Sequence, residues 1–132
     1  MNIENKNVFY SEIERVLAEK GTFIYYDIFS RNKQSITYPV PWANEESLNH
    51  LITIAELHDL LSGLSFTKVQ TKDQTDQAIK FFTELLNKQA KDGPAKMGLH
   101  LLIENAAEKI GNLLKNIKEN KLELQSGIYQ KR

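Results

Sequence analysis

The sequence predicts one α/β domain over residues 1–132, in which about three strands alternate with four or five helices. Two observations predict this class. The run from Thr22 to Phe29 is almost continuously apolar and β-prone, which is typical of a strand covered on both faces. Around it, segments with helical spacing of apolar residues alternate with short strand-like segments, a pattern that favours helices packed on a sheet.

A helix is predicted immediately before this strand. Four apolar residues at helical spacing form its expected core face: Phe9, Ile13, Val16 and Leu17. Gly21 follows as a stop signal. A strand that is apolar on both faces needs neighbours at both edges, yet the segment before Thr22 offers a helix and no strand. We therefore expect part of this strand's sheet to lie outside the sequence.

The segment from Ser30 to Leu51 is polar and is predicted to be a loop. At its centre lies the string Tyr38-Pro39-Val40-Pro41-Trp42. Each proline fixes its own φ and pushes the residue before it toward an extended conformation. We expect a stiff loop that presents the aromatic rings of Tyr38 and Trp42.

A second helix and a second strand are predicted after this loop. Thr53 and Glu56 have the spacing of a capping box, and Gly63 is placed to end the helix. The next segment, Phe66 to Thr71, alternates along a strand and is polar enough to predict an edge. A crossover through the helix is the natural connection for pairing the first two strands in parallel.

Helical spacing dominates the rest of the chain until a final strand. One helix is predicted from Asp76 to Ala90 and ends at Asp92-Gly93-Pro94. A longer helical region, Met97 to Glu119, is expected to divide into two helices. The final strand, Lys121 to Gln130, is expected to end inside the sheet. The longer region is expected to break at one of two positions, Glu104-Asn105 or Gly111.

The composition argues against several classes of function. Seventeen basic and seventeen acidic residues cancel and are interspersed, so no surface for nucleic acid or anionic lipid is expected. The sequence has no cysteine for thiol or disulfide chemistry, and His50 and His58 lack the spacing of a zinc motif. No leader is recognisable, and no apolar stretch approaches the roughly 18 residues of a membrane span. We expect a cytoplasmic protein that binds no metal.

Four strings stand out in chain order: Glu12-Ile13-Glu14-Arg15-Val16-Leu17, Tyr38-Pro39-Val40-Pro41-Trp42-Ala43, Leu60-Leu61-Ser62-Gly63-Leu64-Ser65-Phe66 and Gly98-Leu99-His100. Together they resemble the C-terminal half of class I S-adenosylmethionine-dependent methyltransferases. The similarity is greatest to lidded small-molecule methyltransferases, such as those acting on sarcosine, dimethylglycine and related amines. In that family the first string leads through a glycine turn into the fifth strand, and the third string leads into the sixth.

The resemblance implies a partial Rossmann-like sheet with the strands in the order first, third, second, the last strand antiparallel, and a helical lid. Complete members bind S-adenosylmethionine through a glycine-rich first turn, where the backbone approaches the ligand closely. None of the six glycines here forms such a cluster, and the family's Lys-Pro-Gly-Gly turn is replaced by Ala18-Glu19-Lys20-Gly21. We therefore expect the substrate and lid half of a truncated methyltransferase, which binds no cofactor and is inactive alone.

Four residues are candidates for binding a substrate. Asp27 closes the first strand, where it would attract a cationic amine or take a proton, or else cap the loop at Ser30 or meet solvent. Tyr38 and Trp42 would form an aromatic wall against a cationic or aromatic substrate, unless both are buried against the neighbouring helix. His100 would hydrogen-bond a substrate from the lid, or is a partly buried histidine with its own partner.

Three classes of function remain open. The first is the methyltransferase-family chain just described. The second is a non-catalytic interaction module that pairs through an exposed sheet edge, and the third is a small-molecule binding domain that uses the aromatic loop. The apolar strand predicts a homodimer or a domain swap through Thr22 to Ile28, with a missing N-terminal half as another partner.

Overall fold

A computed structural model describes residues 1–94 and 96–132. The described ranges contain four α-helices, α1 (Lys6–Val16), α2 (Ile54–Gly63), α3 (Thr75–Asp92) and α4 (Ala106–Lys118). They also contain two short 3₁₀ turns, Glu46–Leu48 and Leu99–Leu101, and three strands, β1 (Thr22–Ser30), β2 (Phe66–Asp73) and β3 (Leu122–Lys131). Within these ranges, no helix combines the length and the apolar character needed to cross a membrane.

The three strands form one sheet in the order β1-β3-β2. β3 pairs antiparallel with both neighbours, so β1 and β2 run in the same direction. The predicted strand order and the antiparallel last strand are confirmed, as is the edge position of β2. The expectation that the first two strands pair directly is wrong, because β3 lies between them and takes the hydrogen bonds that each would offer the other.

Helices α1 and α2 cover one face of the sheet. The capping box predicted for α2 is confirmed, since the Thr53 hydroxyl accepts a hydrogen bond from the Glu56 N–H at 3.2 Å. In return, the Glu56 carboxylate accepts one from the Thr53 N–H at 2.8 Å. The buried side chains between these helices and the sheet, called here the α1/α2 cluster, are Tyr10, Phe29, Leu57, Leu61, Phe66 and Tyr129.

The core face of α1 differs from the expected one. Ile13 and Leu17 pack against the α1/α2 cluster as predicted, and Tyr10 is buried with them. The prediction for Phe9 and Val16 is wrong, since these residues are 37% and 68% exposed. A stripe at i, i+3 and i+7 through Tyr10 satisfies helical spacing as well as a stripe through Phe9, so periodicity alone does not choose between them.

Helices α3 and α4 cover part of the opposite face, together with the proline loop. The loop contributes three of the buried side chains in this layer, called here the α3/α4 cluster, whose members are Ile36, Val40, Ala43, Ala78, Leu113, Ile117, Leu122 and Leu124. Fully buried Asn116 of α4 holds the loop, because its Oδ1 accepts from the Thr37 N–H at 2.8 Å and its Nδ2 donates to the Thr37 carbonyl at 2.9 Å. One turn earlier, Asn112 donates to the Pro39 carbonyl at 2.9 Å.

The connection between α3 and α4 contains the string that the resemblance assigns to the lid and is called here the lid; its described residues include the 3₁₀ turn Leu99–Leu101. α3 ends at Asp92, and Gly93 follows with φ of 74°, a value that favours glycine. The predicted break of the second helical region is confirmed at Asn105, which adopts a left-handed conformation with φ of 53°. Three apolar side chains of the lid are largely exposed, Met97, Leu101 and Leu102.

Candidate functional site

Two cavities meet at Asp27, which lies within β1; the expectation that Asp27 closes this strand is wrong, because pairing with β3 continues to Ser30. The larger one has a volume of about 460 Å³, opens between β1 and α3, and has Tyr26, Phe81 and Phe82 in its walls. The smaller one, of about 90 Å³, lies on the α1 side and is lined by Lys6 and Tyr10. Asp27 therefore borders an apolar, aromatic cavity next to α3, and its negative charge acts on Lys6 and Tyr10 on the α1 side.

The electrostatic surroundings of Asp27 are set by its nearest neighbours. Its carboxylate accepts a hydrogen bond from the Ile28 N–H at 2.8 Å, rather than capping the loop at Ser30. Burial lowers the pKa of the Lys6 ammonium, and the negative charge of Asp27 opposes that shift. Burial, with a further contribution from Asp27, raises the pKa of Tyr10 to about 12. Asp27 is thus the negative centre of a half-buried site.

Tyr38 and Trp42 lie in the proline loop and are half-buried against the α3/α4 cluster. The Trp42 indole N–H donates to Asn49 Oδ1 at 2.9 Å, and the Trp42 carbonyl accepts from the Asn2 side-chain amide at 2.7 Å. Burial raises the pKa of the Tyr38 phenol above its ordinary value. Neither ring lines the two cavities at Asp27.

His100 lies in the 3₁₀ turn of the lid, Leu99–Leu101. The residue is half-buried, and its Nδ1 is buried without a hydrogen-bond partner among the residues that the structure describes. A buried ring nitrogen without a partner is uncommon, because its desolvation is not compensated. The alternative expected from the sequence, a partly buried histidine with its own hydrogen-bond partner, therefore does not describe this nitrogen. His100 also lines neither cavity at Asp27.

The structure does not bring the four predicted residues into one cavity. It places Phe81 and Phe82 beside Asp27 instead, with their ring centroids 5.3 Å apart in an edge-on arrangement and Phe81 60% exposed. The only sequence signal for these two rings is their helical spacing, which does not distinguish a core residue from one that borders a cavity. Across residues 1–94 and 96–132, no group of three or more His, Cys, Asp or Glu side chains is arranged to hold a metal ion.

Comparison with solved structures identifies the class of fold. The chain shares its fold with part of several S-adenosylmethionine-dependent methyltransferases. A candidate sarcosine dimethylglycine methyltransferase from Galdieria sulphuraria has a TM-score of 0.73 at 12% sequence identity, over 98% of this chain and 49% of that chain. At this identity the likeness defines the fold and not the activity.

Two further structures extend the comparison. Phosphoethanolamine N-methyltransferase 2 from Haemonchus contortus, in complex with phosphomonomethylethanolamine and S-adenosylhomocysteine, has a TM-score of 0.71 at 14% identity, over 98% of this chain and 31% of that chain. A cyclopropane synthase from Mycobacterium tuberculosis has a TM-score of 0.66 at 11% identity, over 95% of this chain and 49% of that chain. This chain therefore spans between about a third and a half of the structures it matches.

No protein-family model matches this chain, and no curated protein matches it by sequence.

Proposed function

We propose that this chain is the substrate and lid half of a methyltransferase fold, and that by itself it neither holds S-adenosylmethionine nor turns over. The observation that carries the proposal is the match of nearly the whole chain to methyltransferases that extend well beyond it. The sequence supports it further, because its six glycines form no glycine-rich turn of the kind that approaches a nucleotide cofactor. The resemblance carried by the four strings described above supports the C-terminal half as the part that this chain represents.

Cofactor binding tests this proposal. Titration of the chain with S-adenosylmethionine, and separately with S-adenosylhomocysteine, is expected to give no binding heat by isothermal calorimetry. The physical reason is that the six glycines of the sequence form no glycine-rich turn that would let the backbone approach the cofactor closely. A complete methyltransferase in the same buffer is the positive control. A micromolar dissociation constant for this chain would contradict the proposal.

Within this half, we propose that Asp27 is the centre of a binding site for a small cationic amine. Asp27 borders the cavity whose walls include Phe81 and Phe82, and aromatic faces attract ammonium groups. Tyr38 and Trp42 are proposed as aromatic contacts and His100 as a hydrogen-bonding group for the substrate at positions outside the two cavities at Asp27, which none of the three lines. The names of two similar structures point to the same chemistry, since sarcosine, dimethylglycine and phosphomonomethylethanolamine are amines.

A matched pair of variants tests the role of Asp27. Adding dimethylglycine or sarcosine is expected to shift the NMR signals of residues around Asp27 and Phe81, because a partly desolvated carboxylate attracts a cation more strongly than an exposed one. Asp27→Asn is expected to weaken this binding by roughly tenfold, as loss of a charge-assisted hydrogen bond does. Glu19→Gln removes an exposed carboxylate from the turn before β1 and is expected to change nothing. Equal effects of the two variants would refute the assignment.

The alternative function is a non-catalytic interaction module that pairs through the edge of the sheet. The specific observation in its favour is the exposure of apolar side chains on β1, where Ile24 and Tyr26 are 66% and 61% exposed. A stoichiometric complex with another chain, formed without any effect of S-adenosylmethionine, would favour this alternative over the methyltransferase half.

A further inference from the structure

The two edges of the sheet differ in how they are protected. The β2 edge carries Lys68, Lys72 and Asp73, and its register shifts between Lys68 and Gln70, so an irregularity interrupts it. Charged residues and bulges are the usual means by which proteins prevent strands from pairing edge to edge. The β1 edge has no such protection from Thr22 to Tyr26, which contain no charged residue, no proline and no break in register.

The hydrogen-bond pattern identifies which backbone groups of β1 face outward. The Lys131 N–H donates to the Gly21 carbonyl, and the Arg31 N–H donates to the Lys121 carbonyl, both at 2.9 Å and both in line with the β1-β3 register. Odd-numbered residues of β1 therefore point their N–H and C=O groups at β3, because these groups alternate along an antiparallel strand. The even-numbered residues point theirs away from the sheet.

Two of the five outward-facing N–H groups are already satisfied. The Ser30 N–H donates to the Ile52 carbonyl at 3.0 Å, and the Ile28 N–H donates to the Asp27 carboxylate at 2.8 Å. No residue that the structure describes pairs with the outward groups of Thr22, Ile24 and Tyr26. The free part of the edge is therefore these three residues, and two of them also expose large apolar side chains.

We propose that a second copy of this chain pairs antiparallel with residues 22–26, with the two-fold axis at Ile24. In this register Ile24 lies opposite Ile24 of the second copy, and Thr22 lies opposite Tyr26 of the second copy. All three free N–H groups and all three free C=O groups of each copy then find partners. A shift of two residues toward the carboxyl end places Thr22 opposite Ile28 of the second copy, whose N–H is already bonded to Asp27.

Side chains and charge support the same arrangement. Across the paired strands, the exposed Ile24 side chains of the two copies become neighbours, and Phe23 lies opposite Tyr25 of the second copy. Apolar and aromatic cross-strand pairs of this kind stabilise antiparallel sheets. The chain has equal numbers of acidic and basic residues, so two copies meet without net repulsion. The result is a six-stranded sheet that ends on both sides in the protected β2 edge.

Single-cysteine cross-linking tests both the pairing and its register, because the chain has no cysteine of its own. In Ile24→Cys the two thiols lie on residues directly opposite each other, with Cα atoms about 5.5 Å apart, within the range of roughly 4.4–6.8 Å over which a disulfide forms. Tyr26→Cys is the register control, since the two cysteines would be offset by four residues along the strand, about 13 Å. Val69→Cys is the exposure control, at 62% exposure on the β2 edge.

We expect Ile24→Cys to give the covalent dimer roughly tenfold faster than either control, as the opposed geometry requires. Equal rates for the three variants would overturn the proposal, and so would fastest cross-linking of Tyr26→Cys. Sedimentation of the unmodified chain gives an independent measurement, with a dimer expected at high micromolar concentration. Ile24→Lys is expected to make it monomeric while Val69→Lys leaves it dimeric. A monomer of the unmodified chain would mean that the edge pairs with a different polypeptide, and would also overturn the proposal.

Discussion

Gly127→Ala is expected to lower the free energy of unfolding by about 2–3 kcal/mol, in the upper part of the roughly 1–3 kcal/mol that overfilling a packed site costs. Gly127 lies on β3 opposite Tyr25 of β1, and the Tyr25 ring crosses directly over it. A Cβ atom added at Gly127 would lie 2.3 Å from Tyr25 Cε1 and 2.7 Å from its hydroxyl oxygen. The ring cannot move aside without cost, because its hydroxyl donates to Gln125 and its face packs against Phe29.

Gly111→Ala is the matched control for this prediction. Gly111 lies within α4, and an added Cβ would meet no other atom within 4 Å. Because glycine costs about 0.5–1 kcal/mol more than alanine inside a helix, this variant is expected to raise stability. Urea unfolding followed by circular dichroism measures both variants. If Gly127→Ala were as stable as the unmodified chain, the close contact with Tyr25 would not exist in solution.

The second large effect is expected at Asn116, which joins α4 to the proline loop. Asn116→Ala is expected to cost about 3 kcal/mol, because it leaves the Thr37 N–H and carbonyl without partners in a buried setting and also leaves a small void. Besides this loss of overall stability, we expect the loop itself to become less stable than the rest of the fold. Hydrogen exchange at residues 36–43 is expected to accelerate more than exchange in the sheet.

Asn112→Ala provides the comparison, since Asn112 makes one hydrogen bond to the same loop from a less buried position. Water can replace that bond, so the expected cost is about 1 kcal/mol. Equal losses for the two asparagines, or unchanged exchange in the loop of Asn116→Ala, would show that Asn116 does not hold the loop. The loop carries Tyr38 and Trp42, so its order also determines where the proposed aromatic contacts lie.

Local signals predicted a large part of this fold. The capping box at Thr53, the strand from Thr22, and the break at Asn105 each depend on residues within a few positions of one another. Such conformational preferences depend on neighbouring residues, so they can be evaluated without knowing the tertiary structure. The strand order was available only through the resemblance of four strings to a known family.

Contacts between distant residues could not be predicted in the same way. In the sequence, Asn116 is indistinguishable from any other polar residue of an amphipathic helix. Its hydrogen-bond partner Thr37 lies 79 positions away, so no local pattern indicates the contact. Phe9 and Tyr10 fit the core face of α1 equally well until β1 is placed beside it. The same holds for the proposed site. Asp27 was predicted from its expected position at a strand end, whereas tertiary packing alone places Phe81 at the same cavity.

The central position of β3 also has a consequence for biosynthesis. Both outer strands precede β3 in the chain, so neither has a hydrogen-bonding neighbour in this sheet until residues 122–131 have left the ribosome. The nascent polypeptide must therefore keep two unpaired, β-prone segments apart while residues 74–121, which separate β2 from β3, are translated. A holdase that shields Thr22 to Ser30 during this interval would protect the segment most prone to premature association.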